Sequence, residues 1–186
     1  MKRFVDILMA LTASILLLWL IAVVAILVRM TSPGPVIYWS DRVGRQNRIF
    51  RMPKFRTMLT DTPPVATHLL DDPARYLTPI GSFLRKSSLD ELPQLWSILC
   101  GDMSFVGPRP ALFNQEDLIG LRTAANVHTL LPGLTGWAQI NGRDEIPIPQ
   151  KVQLDVYYLQ HRSLGLDLRI LLQTFLKVIK RDNVSH

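Results

Sequence analysis

The sequence predicts a mainly α-helical protein with one small β-hairpin, an α+β fold in which an apolar N-terminal helix precedes a compact domain. Three observations carry this prediction. An uncharged run of 22 residues extends from Ile7 to Val28. Two short extended segments flank a polar turn between residues 36 and 58. Apolar residues then recur at helical spacing in several later segments. We therefore divide the chain into a membrane helix, residues 1–30, and a compact domain, residues 31–186.

The uncharged run is long enough to cross a bilayer. As a helix it would extend about 33 Å, at about 1.5 Å per residue. The apolar part of a cleaved signal peptide is shorter, about 7–15 residues, so we expect this segment to stay on the protein and hold it in the membrane. The prolines and glycine of 32-SPGP-35 then end the helix.

Charge predicts which side of the membrane the domain occupies. Seven basic residues and one acid, Asp41, lie between Arg29 and Arg56, and an excess of basic residues marks a cytoplasmic flank. Lys2 and Arg3 also favour the cytoplasm. Two topologies stay open: a single span whose C-terminal flank dominates, or a helix that enters the bilayer and turns back. Both place the domain in the cytosol, on an anionic surface that attracts about 1 kcal/mol per nearby Lys or Arg.

Composition limits the protein class further. The net charge is +6, which suits anionic partners. Cys100 is the single cysteine, so no intrachain disulfide can form and a reducing compartment is favoured. We expect Cys100, in an apolar helix, to be a small buried hydrophobe. The four histidines show no metal-ligand spacing.

The pattern of residues predicts the order of the elements. Residues 36–39 and 48–58 form the hairpin, and residues 81–87 a brief helix. Leu92, Leu95, Trp96 and Leu99 share one face of a helix that Gly101 ends. Further segments are a rigid turn at 104–112, a helix at 114–121, a glycine-rich loop at 132–143, a helix at 150–160 and a final basic amphipathic helix at 166–181. That last helix either packs on the core or lies in the headgroup plane.

An acidic pair, Asp90 and Glu91, begins one of these helices. Pro93 is tolerated only near a helix start, because it lacks an N–H and its ring clashes with the preceding turn. A cap at Leu89 or Asp90 satisfies this requirement and places Asp90 beside the free amides and the positive end of the helix dipole. Acidic residues are common in the first turn of a helix, so this position alone does not indicate a catalytic role.

Basic residues in rigid segments surround that pair in the sequence. Arg85 lies five residues before Asp90, Arg109 lies in 107-GPRP-110, and Arg143 lies in 141-NGR-143. A guanidinium held by a stiff loop suits bidentate recognition of phosphate. Arginines also keep a neighbouring carboxylate ionised, available as a nucleophile or metal ligand. Each loop alone is also explained as a stiff connector or tight turn, but together they indicate a site for a phosphorylated ligand.

A set of motifs in this order resembles one enzyme family. The segments are 2-KRFVDI-7, 31-TSPGPVIY-38, 53-PKFRTM-58, 85-RKSSLDELPQLW-96, 101-GDMSFVGPRP-110, 132-PGLTGWAQINGR-143 and 154-LDVYYLQH-161. Together they resemble the bacterial small monotopic phosphoglycosyl transferases, which move a phosphosugar from a nucleoside diphosphate sugar onto undecaprenyl phosphate. Members of this family typically carry a Ser-Pro helix break in the membrane segment. The aligning position here reads 17-LLWL-20, so the resemblance implies re-entrance without the expected breaker.

The resemblance implies a two-step reaction. Asp90 would attack the sugar-bearing phosphate of a UDP-sugar, release UMP and hold the phosphosugar covalently until the lipid phosphate displaces it. Mg²⁺ would neutralise the diphosphate, with Asp90 among its ligands, while Glu91 would relay a proton or orient the metal. The other roles are implied in the same way: Lys54 and Arg85 shape the site, Arg109 and Arg143 bind phosphate, Gln139 and Trp137 frame the nucleotide, and Asp155 supports the metal or site network.

The implied partners are a UDP-sugar, undecaprenyl phosphate and membrane lipids, at the cytoplasmic face of the bacterial inner membrane, with no nucleic acid. No motif identifies the sugar, and homo-oligomerisation stays open. The alternative function is a membrane-tethered adaptor, without catalysis, whose basic face binds anionic lipid or nucleic acid. That alternative leaves unexplained why an acidic pair is surrounded by rigid cationic loops.

Overall fold

The predicted α+β class is confirmed by a computed structural model, which describes residues 1–63, 72–142 and 146–180. The helices in these ranges are α1 (Lys2–Leu16), α2 (Leu18–Thr31), α3 (Gly81–Lys86), α4 (Gln94–Cys100), α5 (Glu116–Ala124), α6 (Trp137–Ile140), α7 (Ile148–His161) and α8 (Leu164–Lys180). The strands are β1 (Ile37–Val43), β2 (Ile49–Phe55), β3 (Ser104–Val106), β4 (Ala111–Leu112) and β5 (Gly133–Thr135).

The apolar N-terminal run forms two helices that meet at a bend of 63°. Leu17 lies at the junction, with φ −96° and ψ 4°. Its N–H still bonds to the carbonyl of Ala13, 2.9 Å, and its carbonyl accepts from Ile21, 2.8 Å. Among the described helices none is by itself long and apolar enough to span a membrane, whereas this bent pair is, by length and composition.

The two halves of the bent pair pack on different parts of the domain. Ala10 of α1 lies in a cluster with Met52 and Ile98. Val28 of α2 lies in another, with Phe55. The bend lets each half reach its own surface, so tertiary packing takes the place of the proline that the sequence lacks. The outer faces of both helices remain exposed and apolar.

The predicted hairpin is confirmed. Strands β1 and β2 pair antiparallel, from Ile37 opposite Phe55 to Val43 opposite Ile49. A short 3₁₀ turn at Arg45–Asn47 joins them. On the other side of β1, strand β4 adds two residues to give a three-stranded sheet in the order β2-β1-β4.

A second, two-stranded sheet was not predicted. Strands β3 and β5 pair parallel, within segments that the sequence indicates only as a rigid turn and a glycine-rich loop. Strands this short carry too few residues to show an alternating pattern. Glycine permits their close approach, because a Cβ on Gly133 would overlap the backbone of Gly107. The two loops that follow these strands are thereby fixed to one another.

The helix after the acidic pair begins later than predicted. Residues Leu89–Glu91 form a 3₁₀ turn, and Pro93, rather than Leu89 or Asp90, caps α4. The buried face also differs: Leu95 and Ile98 are buried, whereas Trp96, predicted on the apolar face, is 61% exposed. The 3₁₀ turn shifts the helical register and thus the face that meets the core.

The ends of α4 and the C-terminal helices give a mixed outcome. Gly101 ends α4 in the left-handed conformation, φ 99°, as predicted. Cys100 is exposed, so the prediction that it is buried was wrong. The predicted helices near residues 150–160 and 166–181 are confirmed as α7 and α8. In α8 one face packs on the core through Ile170, while the apolar Leu168 and Phe175 remain exposed.

The close contact between β3 and β5 predicts a specific sensitivity. Gly133→Ala should lower the free energy of unfolding by about 1–3 kcal/mol, since the added methyl overpacks against a backbone that has no room to yield. Gly120→Ala is the matched control: Gly120 lies in α5 with open space around it, and alanine there should stabilise by about 0.5–1 kcal/mol. Thermal unfolding in detergent measures the stability of both variants. Equal effects of the two substitutions would contradict the close contact between Gly133 and the backbone of Gly107.

Candidate active site

Three elements bring the predicted dyad together with two cations. Lys54 comes from β2, Glu91 from the 3₁₀ turn before α4, and Arg109 from the loop after β3. The Glu91 Oε1 atom accepts a hydrogen bond from Lys54 Nζ, 2.8 Å, and another from Arg109 Nη2, 3.1 Å. Segments 37 and 18 residues away along the chain are therefore joined at one carboxylate oxygen.

The backbone before the dyad explains how its two carboxylates separate. Ser88 adopts the left-handed conformation, φ 57°, and Leu89–Glu91 follow as a tight 3₁₀ turn. The Glu91 N–H bonds to the carbonyl of Ser88, 3.2 Å. Consecutive residues on such a turn point in different directions, since about three residues complete one turn. Asp90 and Glu91 therefore meet different surroundings although they are neighbours.

Asp90 is buried without being tightly paired. It is 7% exposed, and its Oδ2 lies 3.9 Å from Lys54 Nζ. Burial raises the pKa of the Asp90 carboxyl to about 6, outweighing the opposite effect of Lys54; Glu91 raises it further, while Arg85 and Arg109 lower it. We expected the arginines to dominate this balance, whereas desolvation does. Asp90 is still mostly ionised at neutral pH, but it is an unusually basic carboxylate.

Glu91 has the opposite electrostatics. Its burial alone would raise the pKa, but Lys54 and Arg109, which both hydrogen-bond to it, hold the pKa of Glu91 well below its usual range. Such a carboxylate does not accept a proton near neutral pH. The geometry thus favours a counter-ion role for Glu91 over the proton relay that the resemblance implies.

Arg85 lies on the Asp90 side of the site. Its Nε donates to Thr57 Oγ1, 2.9 Å, which fixes the plane of the guanidinium. Burial lowers the pKa of Arg85, and the charge of Asp90 opposes that shift, so the two groups interact electrostatically. The structure therefore joins Lys54, Arg85 and Arg109 around the dyad.

Asp155 supports this site from behind. Its Oδ2 accepts from Arg122 Nε, 2.9 Å, and from Arg122 Nη2, 2.7 Å, and the same guanidinium donates from Nη1 to the backbone carbonyl of Arg109, 2.8 Å. The pKa of the Asp155 carboxyl is raised by burial, against the effect of Arg122. Asp155 thus holds the loop of Arg109 through Arg122. Sequence reasoning missed Arg122, because its partner lies on another helix and no local motif marks the pair.

The remaining predicted residues lie elsewhere or outside the described ranges. Gln139 lies in the short helix α6, and both polar atoms of its side chain are buried with no hydrogen-bond partner in the described part of the chain. Trp137 stacks on Tyr157, with ring centroids 5.1 Å apart. No described contact joins either residue to the dyad. Arg143 lies outside the described residues.

The donor set constrains how magnesium would bind. Within the described ranges no three His, Cys, Asp or Glu side chains are grouped as a metal site. The Glu91 Oε1 atom already contacts two cations, whereas Asp90 has one cation at 3.9 Å, so Asp90 is the less engaged carboxylate and the better candidate ligand. Mg²⁺ is commonly held by one or two carboxylates together with substrate phosphates and water. The residues fit a metal that Asp90 and a diphosphate would hold jointly.

The contrast between the two carboxylates predicts opposite effects on stability. The pKa of Glu91 is lower in the folded state than its unfolded value of 4.5, so its ionised carboxylate stabilises the fold at any pH above 4.5. Glu91→Gln should therefore lower the free energy of unfolding at pH 7.5 by about 2–4 kcal/mol, because Lys54 and Arg109 lose their negatively charged partner. A raised folded-state pKa opposes folding once the group ionises. Asp90→Asn should therefore equal or exceed the wild type by a few degrees in Tm at pH 7.5.

Thermal unfolding between pH 4 and 8 measures this contrast. The gain of Asp90→Asn should shrink as the pH falls below about 6 and be largely lost near 3.8, since below that pH the wild-type carboxyl is protonated in both the folded and the unfolded state. A large destabilisation by Asp90→Asn, with Glu91→Gln neutral, would show that the ion pairs had been assigned to the wrong carboxylate.

Comparison with known proteins identifies the family. A family model described as bacterial sugar transferase matches residues 1–181. A protein of Bacillus subtilis (strain 168) named uncharacterized sugar transferase EpsL is 42% identical over 189 residues, covering 100% of this chain and 90% of that protein.

Two longer relatives carry more specific names. A UDP-N-acetylgalactosamine-undecaprenyl-phosphate N-acetylgalactosaminephosphotransferase of Aeromonas hydrophila is 36% identical over 96% of this chain and 43% of its own length. A UDP-glucose:undecaprenyl-phosphate glucose-1-phosphate transferase of Escherichia coli (strain K12) is 37% identical over 95% of this chain and 40% of its own. The chain therefore spans less than half of either protein. Because the family model covers nearly the whole chain, this protein belongs to the bacterial sugar transferase family.

Proposed function

We propose that the protein transfers a phosphosugar from a UDP-sugar to undecaprenyl phosphate, giving undecaprenyl-diphosphate-sugar and UMP. The observation that carries this proposal is the site itself: a buried, basic carboxylate, Asp90, beside three cations. The names of the relatives from Aeromonas hydrophila and Escherichia coli supply the acceptor and the type of donor. Membership in a transferase family also argues against the non-catalytic adaptor.

In the first step, an oxygen of Asp90 attacks the phosphorus that bears the sugar. A new bond forms between that oxygen and phosphorus, and the bond from phosphorus to the bridging oxygen of the diphosphate breaks, so UMP leaves with the electron pair. No proton is required. The negative charge that grows on the leaving phosphate is stabilised by Arg85, Lys54 and Arg109. A basic nucleophile favours this attack, and burial is what makes Asp90 basic.

In the second step, a phosphate oxygen of the lipid attacks the same phosphorus. The bond to Asp90 breaks and its carboxylate is restored. Two steps allow a water-soluble donor to leave before a lipid acceptor enters. When bound, Mg²⁺ would neutralise charge on the diphosphate, with Asp90 as its protein ligand. Glu91 holds Lys54 and Arg109 in place throughout, since its own carboxylate stays ionised.

The exposed apolar surfaces suit a reaction at a membrane. The bent pair α1–α2 presents the exposed Leu8, Ile15 and Trp19, and α8 presents Leu168 and Phe175. We propose that the bent pair enters the cytoplasmic leaflet as a re-entrant helix and that α8 lies in the headgroup plane. Basic residues at both ends of the apolar run then face the cytoplasm of the bacterial inner membrane.

Trapping the intermediate tests the covalent mechanism. Purified protein with Mg²⁺ and a UDP-sugar, but without lipid acceptor, should release one UMP per chain and gain the mass of one phosphosugar on the peptide that contains Asp90. Asp90→Asn should show neither event, whereas Glu91→Gln should still form some adduct, slowly. Several UDP-sugars must be tried, because no residue identifies the sugar. Full transfer by Asp90→Asn, or an adduct on another residue, contradicts the scheme.

The raised pKa of Asp90 predicts a pH profile. The carboxylate is the reactive form, so kcat/KM for the donor should fall tenfold per pH unit below about 6 and level off above it. Lys54→Met should move this acid limb to higher pH, because Lys54 lowers the pKa of Asp90. A flat profile between pH 5 and 8, measured by UMP release, would mean that Asp90 is not the titrating nucleophile.

A further inference from the structure

A buried carboxylate in the N-terminal helix lies outside the site described above. Asp6 is 4% exposed, and the residues that follow it in α1 carry no charge. Its Oδ1 accepts a hydrogen bond from the backbone N–H of Phe105, 3.2 Å. Its Oδ2 is buried with no hydrogen-bond partner in the described ranges. Burying a carboxylate costs free energy when one of its oxygens accepts no hydrogen bond. The hydrogen bond from Phe105 must therefore offset part of that cost or serve a purpose other than stability.

The partner of Asp6 is the middle residue of strand β3. Ser104 and Val106, on either side of Phe105, pair with β5. Because backbone groups alternate along a strand, the N–H of Phe105 points away from β5 toward the opposite edge. Asp6 satisfies that donor. Arg109 follows Phe105 by four residues, on the loop that continues the strand.

The first turn of α1 reaches the same strand by a second route. Lys2 pairs with Asp167, 2.6 Å, and Asp167 accepts from the Tyr158 hydroxyl, 2.7 Å, which lies 3.2 Å from the carbonyl of Val106. Burial, the bond to Asp167 and the charges of Asp167 and Asp6 all raise the pKa of Tyr158. Asp6 and Asp167 therefore both interact with one phenol beside β3.

The same turn also contacts the helix behind the dyad. Arg3 donates to the carbonyls of Ile98 and Leu99 in the last turn of α4. The dyad precedes the first turn of that helix. One face of α1 thus holds both supports of the site, α4 through Arg3 and β3 through Asp6.

We propose that Asp6 is a positioning residue for the phosphosugar transfer. Its bond to Phe105 fixes β3, and with it the loop that carries Arg109 toward Glu91, so the cation cluster forms only when α1 is seated on the domain. This inference rests on the proposed function. Because α1 is the first half of the apolar bent pair, seating of that pair in the membrane is transmitted to the phosphate-binding side of the site.

The test compares Asp6 variants of the full chain in lipid nanodiscs. Asp6→Asn keeps an oxygen acceptor for Phe105, Asp6→Leu removes it, and Asp6→Glu keeps the charge but displaces it by one methylene. Leu8→Ile, on the exposed face of the same helix, is the control, because it keeps an apolar side chain of the same size at that surface. Hydrogen exchange of residues 103–110 reports on β3, and UMP release gives kcat and the donor KM.

Asp6→Leu should speed exchange of residues 103–110 at least tenfold and raise the donor KM at least fivefold. Asp6→Asn and Leu8→Ile should stay within twofold of the wild type in both. Unchanged exchange in Asp6→Leu overturns the proposal, as does faster exchange with unchanged kinetics, or equal damage by Asp6→Asn and Asp6→Leu.

Two further outcomes are also decisive. Should Asp6→Leu fail to fold, the comparison moves to the polar variants: the proposal requires Asp6→Asn to retain more activity and protection than Asp6→Glu, and the reverse order overturns it. A wild-type protein that releases no UMP contradicts the proposed function alone, since the exchange data still decide whether Asp6 holds β3.

Discussion

The site depends on the Glu91 carboxylate, one oxygen of which accepts hydrogen bonds from two cations. Glu91 accepts hydrogen bonds from Lys54, in strand β2 of the hairpin, and from Arg109, in the loop after β3, and so joins these two segments. Because Glu91 takes these partners, Asp90 is left buried and loosely paired, and its pKa rises to about 6. The two adjacent acids thereby acquire different chemistry from their surroundings alone. This division, and not the mere presence of two acids, is what leaves one basic carboxylate in the site.

The support for this arrangement extends through the domain to the apolar N-terminal helix. Asp155 holds Arg122, and Arg122 holds the backbone of Arg109. From the other side, Asp6 of α1 bonds to the strand that precedes the same loop. The first two turns of the N-terminal helix are therefore hydrogen-bonded into the domain. Buried charges outside the dyad thus hold the loop that carries Arg109 next to Glu91.

Much of this protein could be predicted from its sequence, for physical reasons. The hairpin and helices α7 and α8 follow from periodicity, and Gly101 marks a helix end because only glycine adopts its backbone conformation without strain. The parallel pair β3–β5 could not be predicted, since three residues show no period. The bend at Leu17 arises from packing, and Arg122 acts through a partner on another helix. Interactions between distant segments leave no local pattern.

In the proposed site Glu91 carries the ion pairs and Asp90 is the reactive carboxylate. Titration of ¹³C-labelled Asp and Glu side chains by NMR, in the wild type and in each dyad variant, distinguishes the two groups. The carboxyl resonance lost in Asp90→Asn should titrate near pH 6, and the one lost in Glu91→Gln should stay ionised throughout the range in which the protein is folded. The reverse assignment, with Glu91 titrating near pH 6 and Asp90 remaining ionised, would contradict this division of roles.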